Sequence, residues 1–220
     1  MRHRITIAMY CTLAACLKTA ALAGERPVQP LYDYDLAVTN GQSYIHLSVH
    51  PRAPIDSRVV INSSDDDRFL DDFIASIKRS GPDALTNVWC DQFKAKIPET
   101  SAAESMPDGR QLYRFRPVAG PEDNANVYEH LEAAVILSSD DEQILSFEMG
   151  NTKTFKPSVA AKIRSFEYRA VCSPLTDGKT ALESLTISVT GSAFFRPFTE
   201  FLQRRYSGFR ISRATPLGSP

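Results

Sequence analysis

Apolar and polar residues alternate one by one over a series of separated stretches of this chain. A period of two belongs to strands, so most of the chain is constrained to build a sheet. Tyr32, Tyr34, Leu36 and Val38 share one face, against Asp33, Asp35 and Ala37. Ile45, Leu47 and Val49 oppose Tyr44, His46, Ser48 and His50, and Asn40-Gly41 between the two runs is a hairpin turn signal. Arg58 to Ile61 reads as a short β-branched strand. Further on, Tyr113 and Phe115 alternate with Arg114 and Arg116. Val127, Leu131, Ala133, Val135 and Leu137 oppose Tyr128, His130 and Glu132, and Leu145, Phe147 and Met149 face one way. Leu185, Ile187 and Val189 oppose Ser184, Thr186 and Ser188, while Asp140-Asp141 and Asp177-Gly178 mark turns. Between Val159 and Cys172 the parity drifts, with Ile163 pointing one way and Phe166 and Tyr168 the other, which predicts a bulge near Arg164.

Three stretches carry helical spacing instead. Ser64 is a good N-cap, with Asp65, Asp66 and Asp67 in the turn that follows. Phe69, Leu70, Phe73, Ile74 and Ile77 form an apolar stripe, and Gly81-Pro82 ends it. Asp83 reads as the cap of a second helix whose apolar face is Leu85, Trp89 and Phe93, ending before Pro98 and carrying Cys90. Pro98 to Gly109 is a polar loop of small residues. A last helix is expected from Pro197 at its first turn to Gly208, with Phe194, Phe198, Phe201, Leu202 and Tyr206 apolar and Arg204 and Arg205 near its end. The expected fold class is α+β: a curved antiparallel sheet with a helical hairpin and a C-terminal helix packed on its apolar face. It is expected as one domain over 24–209, with 210–220 a disordered tail.

The stretch from Tyr168 to Tyr206 carries a likeness. A strand, the Asp177-Gly178 turn, a strand ending Thr190-Gly191-Ser192 and a helix opened by Pro197 with paired arginines follow one another. This order, over roughly residues 57–209, resembles the helix-grip fold of the START and Bet v 1-like superfamily. The resemblance implies a sheet wrapped around the last helix and a cavity between them that binds an apolar or lipid-like small molecule. Cavity-lining candidates on the sheet are Phe115, Leu131, Val135, Phe147, Tyr168, Leu185 and Ile187, and on the helix Phe198, Phe201 and Leu202. The extra N-terminal hairpin departs from that pattern.

The first residues bear on where the protein works. Arg2 and Arg4 precede an uncharged, mostly apolar run from Ile5 to Leu17, and Ala21-Leu22-Ala23 is a small-x-small site before Gly24. That is the layout of a secretory signal peptide over 1–23, with a periplasmic or secreted mature chain starting at Gly24. Leu13-Ala14-Ala15-Cys16 offers the alternative of a lipid anchor on Cys16. Cys11 and Cys16 would leave or be acylated with this segment, and Cys90 and Cys172 remain as an even pair suited to a disulfide in an oxidising compartment. Two separate buried thiols are the alternative. The formal net charge is −1, and no basic stripe recommends a nucleic-acid partner. No second apolar run approaches a membrane span. Oligomeric state is not legible.

Chemistry is sparsely signalled. His46 and His50 share a strand face but stand about 13 Å apart, too far for one metal ion. His130 beside Glu132 reads as a surface histidine, and the acids from Asp65 to Asp72 lack the spacing and glycine of a calcium loop. Glu129 and Glu183 interrupt apolar strand faces, either as polar groups of a pocket or as solvated strand ends. No nucleophile, metal or dinucleotide motif is present, so no cofactor is expected and non-enzymatic function is favoured. Two functions follow as expectations. One is an exported protein that binds an apolar small molecule. The other is an envelope interaction protein with a filled core.

Overall fold

The computed structural model describes residues 31–81, 85–119, 125–140 and 143–212. The expected signal peptide, Cys16, the second N-cap at Asp83, Asp141 and the tail from 213 onward lie outside the described residues.

Eleven strands form the bulk of the protein: β1 (Tyr32–Thr39), β2 (Tyr44–Val49), β3 (Val59–Ser64), β4 (Ala103–Ser105), β5 (Gln111–Phe115), β6 (Leu131–Leu137), β7 (Ile144–Asn151), β8 (Phe155–Ser158), β9 (Ala161–Pro174), β10 (Thr180–Ala193) and β11 (Arg196–Ile211). Their order is β3-β2-β1-β11-β10-β9-β7-β6-β5-β4, with β8 pairing β9 off this path. The described helices are α1 (Asp67–Ser80) and the single turn α2 (Ala125–Tyr128), with short 3-10 segments at Ile55–Ser57 and Cys90–Lys96. The residues gather into two compact units, 89–203 and 31–88 with 204–212, and β11 contributes its first half to one and its second half to the other.

This overturns the expected fold class. The last element is not a helix but a sixteen-residue strand, and in place of the second helix expected to carry Cys90 stands a 3-10 segment. The sheet dominates, and among the described residues no C-terminal helix packs on it. The physical reason lies in the position of β11 between β10 and β1. A strand inside a sheet can bury apolar residues on both faces. Phe198, Leu202 and Tyr206 fall on one face and Phe201 on the other, and together they imitate the three- and four-residue spacing of a helix. Their β propensity is consistent with the strand. The closing helix on which the helix-grip likeness rested is therefore absent. Likewise Asp66, not Ser64, caps α1, its side chain accepting from Arg68 N and Phe69 N, while Ser64 ends β3. Those two backbone donors, with Phe69 first, hold the Asp66 carboxyl below its ordinary pKa. Val127 and Tyr128, read as strand, form α2.

In the unit of 31–88 and 204–212 the alternation is realised as read. Tyr32, Tyr34, Leu36, Val38, Ile45, Leu47 and Val49 are all buried. Phe73 of α1 is buried with the Arg204 guanidinium 5.5 Å over its ring. The Tyr34 hydroxyl donates to the Leu85 carbonyl at 2.6 Å, and burial raises its pKa well above the ordinary phenol value.

In the unit of 89–203 the buried face runs through Leu131, Ala133 and Val135 of β6, Phe147 and Met149 of β7, Tyr168 and Ala170 of β9, and Leu185, Ile187 and Val189 of β10. The Cys90–Cys172 disulfide is formed, with Cα atoms 6.2 Å apart, and fixes the 3-10 segment to β9. Its Phe93 then stacks on Phe147 at 4.6 Å and meets Tyr168 edge-on at 6.5 Å. The drift in β9 is a bulge: Thr190 pairs Ser165 and Gly191 pairs Ile163, leaving Arg164 unpaired. A second bulge omits Glu183 from the pairing of β10, and a third omits Leu145 from that of β7.

Candidate docking surface

Two hairpins end side by side in the unit of 89–203. β8 turns into β9 through Val159-Ala160, with Ser158 paired to Ala161. β10 turns into β11 through Phe194-Phe195. The two are joined at the tip: Ala193 pairs Ala161, and Phe194 N donates to the Ala160 carbonyl at 2.8 Å.

The second turn breaks the usual turn chemistry. Phe194 and Phe195 have φ of 49° and 64°, and they are the described non-glycine residues with positive φ. A two-residue loop with both φ values positive is the type I′ pattern, which favours Asn-Gly. A bulky side chain there costs about 1–2 kcal/mol per residue. The rings are not buried in return. Phe194 is 65 % exposed and Phe195 102 %, and Val159 beside them is 106 % exposed. Three apolar side chains thus stand in water at one spot, two of them on strained backbone. Strain of this kind persists where the surroundings over-determine it, and it concentrates at ligand clamps and contact sites.

The sequence flanking the two turns carries charge of one sign. From Gly150 to Phe166 the chain holds Lys153, Lys156, Lys162 and Arg164 and no acid. From Ser184 to Thr199 it holds Arg196 and no acid. All five cations are exposed. His130, also exposed, stacks on buried Phe155 of β8 at 4.7 Å. The next acid along β11, Glu200, is 6 % exposed. Among the described residues it has no hydrogen-bond or ionic partner, and burial pushes its carboxyl up to about 7.

A separate feature is an open groove of about 600 Å3 on the polar face of β5, β6, β7 and β9. Its floor drops at Ala134 and Gly150, and a Cβ on Gly150 would come within 2.9 Å of the Phe166 carbonyl. Its walls carry Arg114, Arg116 and Arg169 against Glu132, Glu148 and Glu167, so the charges balance. Arg169 pairs Glu148 across the strands at 3.2 Å, with Arg114 3.9 Å from Glu104. This is the cross-strand charge pairing of a solvated sheet face.

The residues expected to line a cavity divide. Leu131, Val135, Phe147, Tyr168, Leu185 and Ile187 are buried and share the face that Phe93 packs against, with Phe115 half-buried at its β5 end. Phe198, Phe201 and Leu202 are half-buried on β11, not on a helix, and Phe198 packs over Gly191, where a Cβ would meet its ring at 2.9 Å. Phe201, on the opposite strand face, does not join them. Glu129 lies exposed in the turn after α2, and Glu183 is exposed at its bulge with Ser173 as donor. His46 is exposed against Tyr44, and the His50 ring approaches Asp33 at 3.4 Å.

Sequence reasoning missed the tip. Phe-Phe is a core signal by composition and a poor turn signal, which places Phe194 in the apolar stripe of an expected helix. The readable clue was charge: two acid-free stretches with five cations in a chain of net charge −1. Comparison with known proteins supplies no further guide: no family model, no curated protein and no solved structure matches this chain.

Proposed function

We propose that this chain is an exported interaction protein that works by touching an apolar phase with its two hairpin tips, rather than by enclosing a ligand or catalysing a reaction. The observation that carries this is the Phe194-Phe195 turn: two phenylalanines held at positive φ with their rings in water. The face expected to line a cavity is instead packed by Phe93 against Phe147, which favours contact over enclosure. Export is supported by the basic, apolar, small-x-small opening of the sequence and by the Cys90–Cys172 bond, which persists in oxidising compartments. Among the described residues no helix is long and apolar enough to cross a membrane. The apolar phase would then be reached from its surface.

Fluorescence tests this reading. The sequence has one tryptophan, Trp89, and it is buried. In a Phe195→Trp variant, addition of zwitterionic dodecylphosphocholine above its micelle concentration is expected to shift the new emission to shorter wavelength, with no shift in the parent protein. An unshifted spectrum would refute contact by the tip.

A further inference from the structure

We infer that the partner of the paired tips is an anionic lipid surface, with Phe194, Phe195 and Val159 entering the interface and Lys153, Lys156, Lys162, Arg164 and Arg196 lying at the headgroups. This rests on the docking reading above and names its partner. The argument is one of complementarity. A lipid interface is apolar just below a charged plane, and a protein that meets it needs bulky apolar residues at its outermost points with charge behind them. The tips have that layering. Val159 and Phe195 are as exposed as they would be in an extended peptide, and Arg196 follows Phe195 directly. Lys162 lies two residues from Ala160 along β9, and Lys156 three residues before Val159 along β8.

The sign of the charge selects among surfaces. A zwitterionic surface gives five exposed cations no net attraction, and a typical protein surface mixes both signs. Here the rest of the chain does mix them, as the groove shows with its three arginines and three glutamates. The segments that form the two tips, Gly150 to Phe166 and Ser184 to Thr199, hold no acid, and the acid nearest along β11, Glu200, is 6 % exposed. Basic residues close to an anionic leaflet each add measurable attraction that falls off within a Debye length. The hairpins' pairing at Ala193–Ala161 keeps the three apolar side chains and the cations on one body, so that they engage together and their contributions combine.

Vesicle sedimentation tests the inference on the purified exported chain. Vesicles of phosphatidylcholine alone are compared with vesicles of phosphatidylcholine mixed with phosphatidylglycerol. The parent protein is expected to bind the mixed vesicles at least about a hundredfold more tightly, with the advantage lost at high salt. The triple variant Lys156→Gln, Lys162→Gln, Arg196→Gln is expected to lose on the order of a hundredfold on mixed vesicles and little on neutral ones. All three positions are exposed, so the fold is undisturbed. Phe194→Asn with Phe195→Gly supplies the favoured turn pair and is expected to fold well yet lose binding to both vesicles. Equal binding of the parent to both vesicles, binding to neither, or an unchanged preference in the triple variant overturns the anionic partner. In those cases the docking reading is still judged by the Phe195→Trp spectrum in neutral micelles. Full vesicle binding by the Asn-Gly variant overturns the docking reading as well.

Discussion

The two ends of β10 are built on opposite plans. At its start the strand is tied in from several sides. Asp177-Gly178 makes the turn from β9, with Gly178 at φ 81° and Asp177 accepting from Lys179 N at 3.2 Å. Ala181 bridges to Trp89, Lys179 sits 5.3 Å over the Trp89 ring, and Leu182 pairs Cys172, which is bonded to Cys90. At its other end the turn is Phe194-Phe195, strained and exposed, with exposed Arg196 next in the chain. One end follows the chemistry of stability and the other departs from it. Where local rules are broken without a packing return, function is the expected reason.

The largest effect should come from untying the stable end. Cys90→Ala with Cys172→Ala removes a crosslink spanning 82 residues of sequence, and the chain-entropy cost of such a loop is about 4 kcal/mol. Urea unfolding should show that loss, while micelle contact by the Phe195→Trp reporter survives wherever the protein stays folded. If the reporter's shift vanished in the still-folded variant, the two ends would not be independent and the contrast would break.

Glu200 gives the next effect and a pH signature. Its folded pKa, about 7, lies above the unfolded value of 4.5 because burial opposes the charged form. The stability it allows is full below pH 4.5 and is lost as pH rises to 7, since the unfolded chain ionises first. Glu200→Gln keeps the shape and removes the titration. It should match the parent near pH 4.5 and exceed it by up to about 2 kcal/mol at pH 8, solvent access to the carboxylate screening part of the effect, measured by urea unfolding at both pH values. A constant difference across that range would show that Glu200 is not held in an apolar setting.

Legibility followed how many faces of an element are covered. Strands with one buried face, such as β1 and β2, show clean alternation, and Tyr32 to Val38 and Ile45 to Val49 are buried as the pattern demands. The bulge at Arg164 was legible because it shifted that parity. The disulfide was legible from the two cysteines, Cys90 and Cys172, that lie outside the N-terminal apolar run. β11 was not legible, because its half-buried apolar residues fall on both parities, Phe198 and Leu202 on one face and Phe201 on the other, and so imitate helical spacing. Its opening turn was hidden for a related reason. A turn announces itself through glycine and asparagine, and at Phe194-Phe195 those residues are replaced by ones that read as core. Trp89 and Phe93, read as a helix face, have their spacing set by a disulfide and an isolated bridge to Ala181, neither of which is a periodic signal. So the parts of the site that sequence concealed are those whose local preference the fold overrides.

The smallest effect is also the sharpest test of the contrast, because the same physical quantity is read at both ends with opposite sign. At Gly178 a Cβ would meet nothing within 4 Å, so Gly178→Ala changes little but the cost of holding positive φ. That should destabilise by about 1 kcal/mol. At the other end, Phe194→Asn with Phe195→Gly relieves the same cost and should stabilise by about 1–2 kcal/mol, even though it removes two large side chains. Their rings are largely in water, so little packing is lost. Urea midpoints of the two variants against the parent decide it. A loss at Gly178 with a gain at the tip means that the protein gives up stability to hold two phenylalanines outward. A loss at both ends means that the rings pack in solution, and the surface proposed for docking is then part of the core.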